Sequence, residues 1–275
     1  MNGGKRRKVF VLSALIVVLA VLSHQMLFGK LFPYSPIKLG FAKHELSNVI
    51  VYLQDVSTYN RCQEIDSLIP RVERVHGLKF KHKPEVLIFR DSNTYLQRSI
   101  TKARYCAYPN GSVVVSPWAV QEALDGKISM AIYLSHELSH TLLYQHMGIA
   151  NAYLFFPHWY LEGVAVYNSN QMGTSWYSSK AETYAYIRQG NFVPPEWFGT
   201  KKEDELQLTV QHRSTFAYCE FACMVDYLVE RYGKDKFMRY QTELLESYES
   251  DEVFKDVYGI DFGIFVEDFR THVAL

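Results

Sequence analysis

The sequence predicts an α+β protein in which a small mixed sheet precedes a mainly helical half. Three observations carry this. Short β-rich runs at 85–90 and 113–115 lie ahead of residue 120, while apolar residues recur at spacings of three and four through most of the chain after it. Between two of the strand candidates stands Asn110-Gly111, the pair that a tight turn with positive φ prefers.

Composition supports a folded chain and narrows its partners. Of 275 residues, 48% are hydrophobic, 15% aromatic and 21% charged, ample for a core and incompatible with disorder as the main state. Lys plus Arg and Asp plus Glu number 29 each, which leaves no basic excess to neutralise phosphates, so no nucleic-acid partner is expected.

Lys5, Arg6, Arg7 and Lys8 directly precede an apolar run at 9–22. Fourteen helical residues span about 21 Å, the length of a signal-peptide core, and extension to Phe28 gives about 30 Å, enough to cross a bilayer. The expectation is a signal-anchor over 1–28, with its basic flank in the cytoplasm and the rest of the chain periplasmic or extracellular. The alternative is cleavage after Val21-Leu22-Ser23 and secretion. Gly29, Pro33, Pro36 and Gly40 mark 29–44 as a linker without helical period, leaving 45–275 as one domain.

Along that domain, Leu46, Val49, Ile50, Leu53 and Val56, then Ile65, Leu68, Ile69, Val72 and Val75, suggest helix over 45–76, in one or two pieces. A strand at 85–90 follows, then a helix capped by Asp91 or Ser92 and reaching Ile100. Residues 105–108 and 113–115 form the hairpin, with 113–115 as the edge along which an extended peptide adds. Helices are expected at 117–126, 127–147, 157–170, 176–188, 215–231, 234–248 and 262–273, with the charged stretch 201–205 as a solvated loop.

Within the helix at 127–147 stands His136-Glu137-Leu138-Ser139-His140. Residues four apart on a helix differ by about 40° in azimuth, so both imidazoles converge on one point and Glu137 flanks it. Two nitrogens with an adjacent carboxylate suit a catalytic zinc, which needs a third protein ligand and an open fourth position. His146, His158 and Glu162 are the downstream candidates. On a continuing helix His146 lies about 240° from His140 and misses the ion. His158 and Glu162, four apart, share a face, so one can ligate while the other lines the site.

Here the chain resembles the gluzincins, the thermolysin-like zinc peptidases, and most closely the bacterial peptidase MA-like domains. Their second metal helix reads approximately Trp-x-x-Glu-Gly-x-Ala-x-Tyr, matched by Trp159, Glu162, Gly163, Ala165 and Tyr167. The resemblance covers about 83–245, with 21 residues between His140 and Glu162. It implies a zincin-like fold in which an edge strand precedes the active-site helix. One Zn²⁺ would be held by His136, His140 and Glu162, with Glu137 as the base and Tyr218 as the donor to the oxyanion. It further implies a membrane-anchored metallopeptidase acting on peptide or protein substrates outside the cytoplasm. The alternative is a catalytically inactive binding module on the same fold.

Two departures stand out. Thermolysin-like enzymes often carry an Asp four residues after the ligand Glu, and here that position is Val166. No Gly-x-Met-Glu-Asn strand of the aminopeptidase type precedes His136, which disfavours an amine-specific exopeptidase. The aromatic run at 153–160 either walls a substrate pocket or packs over the helices. Export favours disulfides, and Cys219 and Cys223, four apart on one helix, suit each other poorly. One or two long-range bridges from Cys62 and Cys106 to that helix are therefore expected, in either connectivity, with a Cys62–Cys106 bridge that leaves the other two thiols free as the alternative.

Overall fold

A computed structural model describes the backbone of residues 3–148, 151, 155–247 and 249–275, and their side chains except at 3–6 and 58–63. Helix α1 (Gly3–Phe28) is followed by strands β1 (Ala42–Glu45) and β2 (Ile50–Leu53), helix α2 (Tyr59–His76) and strand β3 (Glu85–Ile88). Next come α3 (Ser92–Arg98), the hairpin β4 (Tyr105–Ala107) and β5 (Ser112–Val115), α4 (Pro117–Leu124), α5 (Met130–Met147) and α6 (His158–Ser169). The helical half ends with α7 (Lys180–Arg188), the single turn α8 (Lys201–Asp204), α9 (Arg213–Tyr232), α10 (Lys234–Ser247), α11 (Ser250–Tyr258) and α12 (Phe262–Ala274). The architecture is mixed α+β, 60% helical, with a five-stranded sheet and a zincin-like arrangement.

The strands are ordered β1-β2-β3-β5-β4, with β2, β3 and β5 parallel and the two outer strands antiparallel to their neighbours. This corrects two expectations. Residues 45–53 are not helical: Val49, Ile50, Val51 and Tyr52 are β-branched or aromatic, and β2 is enclosed on both sides by other strands. A strand covered on both faces reads as a continuous apolar run, and such a run mimics helical spacing. The edge strands are β1 and β4, not 113–115; β5 lies between β3 and β4 and is wholly buried.

Alternate strand residues build two cores. Val51, Leu53, Val86, Ile88, Val113 and Val115 pack against Ile65, Ile69 and Val72 of α2 and Leu134, Leu138 and Leu142 of α5. Tyr52, Leu87 and Val114 face the other way, onto Phe32, Phe89, Tyr95 and Tyr108. Phe32 is 0% exposed, so the segment 29–44, expected as a tether, is seated on the sheet. The Lys38 Nζ, buried with it, donates to the Pro33 and Ser35 carbonyls at 2.9 and 2.6 Å and meets Glu85 at 3.2 Å. A third core joins α6, α9, α10, α11 and α12 through Tyr160, Phe221, Tyr240, Phe254 and Phe265.

Several local expectations hold. The Asp91 carboxylate caps α3 by accepting the Thr94 N–H, and Gly111 takes φ +87° in the hairpin turn. The stretch expected as a charged loop contains the one turn α8, and α11 went unread because its apolar face spans barely two turns. Cys106, Cys219 and Cys223 are free thiols, so the expected bridges to the late helix are absent; the side chain of Cys62 lies outside the described residues. Cys219 donates instead to the Ser178 carbonyl at 3.4 Å.

Candidate metal centre

Helix α5 begins where the Ser129 hydroxyl accepts the Ile132 N–H and ends at Gly148, whose φ is +76°. Its leucines Leu134, Leu138 and Leu142 fill the sheet-facing core. On another face Tyr133, His136, His140 and Tyr144 follow one another at spacings of three and four and line a cleft of about 440 Å³. Helix α6 crosses beneath and brings Glu162 to the same point. The close approach depends on Gly163, where a Cβ would lie 2.7 Å from the Phe221 carbonyl oxygen of α9.

The donor atoms converge. The Nε2 atoms of His136 and His140 are 3.0 Å apart, and Glu162 Oε2 lies 3.4 Å from the first and 3.6 Å from the second. Ligands held at 2.0–2.1 Å around a tetrahedral ion stand about 3.3 Å from one another, so these three edges fit zinc. Electrostatics agree with this. Burial presses against the charge on Glu162, yet the two imidazoles hold its carboxyl far below the usual carboxylate range. Burial likewise lowers His140, but Glu162 and then Glu137 more than offset it, leaving the imidazole above its ordinary value. Glu162 Oε2 and both Nδ1 atoms are buried without a hydrogen-bond partner among the described residues.

Glu137 sits between this cluster and the sheet edge. Its Oε2 accepts the Ala107 N–H of β4 at 2.7 Å. The pairing of β4 with β5 explains why that N–H is available. The Arg104 carbonyl accepts the Ser116 N–H and the Tyr108 N–H donates to Ser112, so Tyr105 and Ala107 turn their backbone groups outward. Tyr218, from α9, lines the opposite wall with its ring 6.4 Å from that of His136. The nearby Glu162 charge, burial and Glu137 all push its phenol upward, so it stays protonated.

Other candidates lie elsewhere. His146 bonds the Lys79 carbonyl through Nε2 at 2.9 Å, away from the cleft. His158 does not line the metal cleft, although it shares a helix face with Glu162; it opens into a separate depression with Phe155, Pro157 and Phe262. From the aromatic run, Phe156, Trp159 and Tyr160 are core residues and Phe155 is exposed, while 152–154 lie outside the described residues. Val166 is fully buried and supports no ligand.

The cleft also holds groups that local sequence did not single out. Tyr105 and Tyr133 stack with ring centroids 5.3 Å apart, and the Arg104 guanidinium lies 4.2 Å over the Trp176 ring while gripping Glu122 at 2.6 and 2.8 Å. The hydroxyls of Tyr105 and Tyr133 and the Nε2 of Gln171 are buried without partners among the described residues, though Gln171 and Ser175 stand near the Tyr133 hydroxyl. For Tyr133 and Tyr144 a signal existed: both fall on the histidine face of α5. Gln171 and Trp176 come from a loop and carried none.

The sequence profile of the Peptidase MA superfamily matches residues 69–275. The match covers both metal-helix segments and most of the chain, and the protein belongs to this superfamily, whose fold is of the metallopeptidase type. No curated protein matches the chain significantly.

Proposed function

We propose that the protein is a zinc metallopeptidase, anchored in the membrane by α1, that hydrolyses peptide bonds outside the cytoplasm. The observation that carries this reading is the triangle of His136 Nε2, His140 Nε2 and Glu162 Oε2, with edges of 3.0, 3.4 and 3.6 Å, beside Glu137. When bound there, Zn²⁺ acts as a Lewis acid and brings the pKa of its water near 7.

The chain's own groups do the rest. Glu137, oriented by the Ala107 N–H, takes the proton of the attacking water through its other oxygen and returns it to the leaving amine. The Tyr218 hydroxyl, kept protonated, donates to the developing oxyanion. An extended substrate pairs with the outward Tyr105 N–H and C=O of β4, the edge strand beside Glu137. Beyond Trp176, Tyr177 and Thr215 the cleft adjoins a second depression of about 520 Å³. A groove that continues past the metal suits an endopeptidase. Helix α1 contains a 22-residue apolar span, Arg7–Phe28, long enough to cross a bilayer.

The test is Glu137→Gln in the full chain. Zinc content should stay unchanged while hydrolysis of a casein or peptide substrate falls by about 10²–10⁴-fold. Equal turnover in the variant, or no zinc in the unaltered chain, rejects the assignment.

A further inference from the structure

The surface around the root of α1 has a composition unlike the rest of the chain. Two segments meet there: 29–44, which leaves the end of α1, and the stretch from α3 to β4. Lys30 Nζ donates to the Leu96 carbonyl and, at 2.7 Å, to that of Ser99, while Arg98 donates to the Leu39 carbonyl at 2.7 Å. The Arg98 guanidinium also covers the rings of Phe28 and Phe32 at 5.8 and 4.5 Å. These contacts make one continuous surface with the last turn of α1.

That surface exposes large apolar side chains. Leu31 is 36% exposed, Ile37 61%, Leu39 43%, Leu96 40% and Ile100 59%. Neither 29–44 nor 92–104 contains an Asp or Glu, in a chain whose acidic and basic residues otherwise balance at 29 each. Lys38, Lys43 and Arg104 are paired with Glu85, Glu45 and Glu122, whereas Lys30, Arg98 and Lys102 enter no ion pair among the described residues. Exposed apolar side chains framed by cations outside any ion pair, on segments that carry no carboxylate of their own, match the water–lipid boundary, where apolar groups enter and cations stay with the headgroups. Contiguous apolar patches of this kind on a folded body mark an interaction surface.

We infer that Leu31, Ile37, Leu39, Leu96 and Ile100 lie in the headgroup–acyl boundary of the same bilayer that α1 crosses, so that the catalytic body is seated on the membrane. The proposal rests on the reading of α1 as a spanning helix. It commits to a phospholipid surface because the chain itself delivers that surface: Leu31 follows Phe28, the end of the span, by three residues. It also limits where substrates are met. Ile100 and Tyr105 at the cleft edge are five positions apart, and extended chain of that length reaches at most about 17 Å. The favoured substrates are then polypeptide segments held close to the bilayer.

The experiment uses the full chain reconstituted in vesicles of phosphatidylcholine and phosphatidylglycerol. An environment-sensitive fluorophore is attached at Leu39→Cys or Ile100→Cys, with Val17→Cys in α1 and Ile264→Cys on α12 as references and the unaltered chain as background. Lipids carrying a spin-label quencher high on the acyl chain report burial of about 5–10 Å. The expected result is that the probes at 39 and 100 lose roughly half their emission, as apolar groups at that depth should, while the probe at 264 is unaffected. Quenching at 17 without quenching at 39 and 100 overturns the seating and leaves the anchor intact. Failure to quench at 17 by a deep quencher rejects the anchor and the proposal together, and equal quenching at 264 shows general adsorption and overturns it as well.

Discussion

Glu162 shows how much a single position carries. It is a largely buried carboxylate whose ionised form depends on two imidazoles 3.4 and 3.6 Å away, and the same oxygen completes the donor triangle. Glu162→Ala should weaken zinc binding by more than the 10–100-fold that loss of a supporting partner usually costs. His146→Ala should leave it unchanged, because His146 is engaged with the Lys79 carbonyl. Metal content after dialysis against graded chelator measures both, and equal loss in the two variants would displace Glu162 from the site. His136 and His140 were legible from their spacing, and Glu162 from the resemblance of its helix to the family motif. The edge-strand amide that orients Glu137 was not, because a backbone N–H has no signature in the sequence.

Helix contacts explain why the motif extends past its ligands. Gly163 is the point at which α6 touches the α9 backbone. Alanine is the better helix former by about 1 kcal/mol, so an isolated helix would gain from Gly163→Ala. Here the added methyl meets a carbonyl that cannot yield, and the variant should lose about 1–3 kcal/mol in denaturant unfolding. It should also bind zinc less tightly, since α6 carries Glu162.

A second device joins α2 to α5 and α10. The His76 ring accepts the Ser139 hydroxyl at Nε2 and donates from Nδ1 to Gln241 Oε1, both at 2.7 Å, and Gln241 Nε2 donates to the His76 carbonyl at 2.9 Å. Burial holds the His76 pKa down at about 4, against 6.5 for the free side chain. The unfolded chain therefore binds more protons between those values, so stability is complete above pH 6.5 and declines as the pH falls toward 4. The decline attributable to His76 is roughly 3 kcal/mol. Urea unfolding of the metal-stripped protein at pH 7 and pH 4.5 should show a smaller acid loss in His76→Gln than in the unaltered chain; an identical loss would assign the acid sensitivity to other groups. Ser139 lies inside the His-Glu-x-x-His segment, so this network braces the helix that carries both histidines.

The assembly as a unit begins earlier than position 45. Phe32 is fully enclosed with Phe89 and Tyr95, and β1 already starts at Ala42. Phe32→Ala should cost about 3–5 kcal/mol in unfolding free energy, and a soluble chain starting at Glu45 should be less stable than one starting at Gly29. Equal stability of the two truncated chains would show that 29–44 is a free tether after all.

What could be read from the residues alone was local or periodic. The apolar run of α1, the Asp91 cap, the Asn110-Gly111 turn and the shared face of His136 and His140 follow from spacings within a few turns, while the choice of Glu162 as their partner comes from the resemblance of its helix to the family motif. Tertiary structure decided what depends on neighbours distant in the chain. It placed β4 rather than β5 at an edge, turned 45–53 into a strand end, a turn and a strand, seated 29–44 on the sheet, left three thiols unbridged and sent His158 out of the cleft. The physical reason is the same in each case. Helical period and turn chemistry act over a few residues, whereas strand order and burial are set by contacts between segments that only the folded chain brings together.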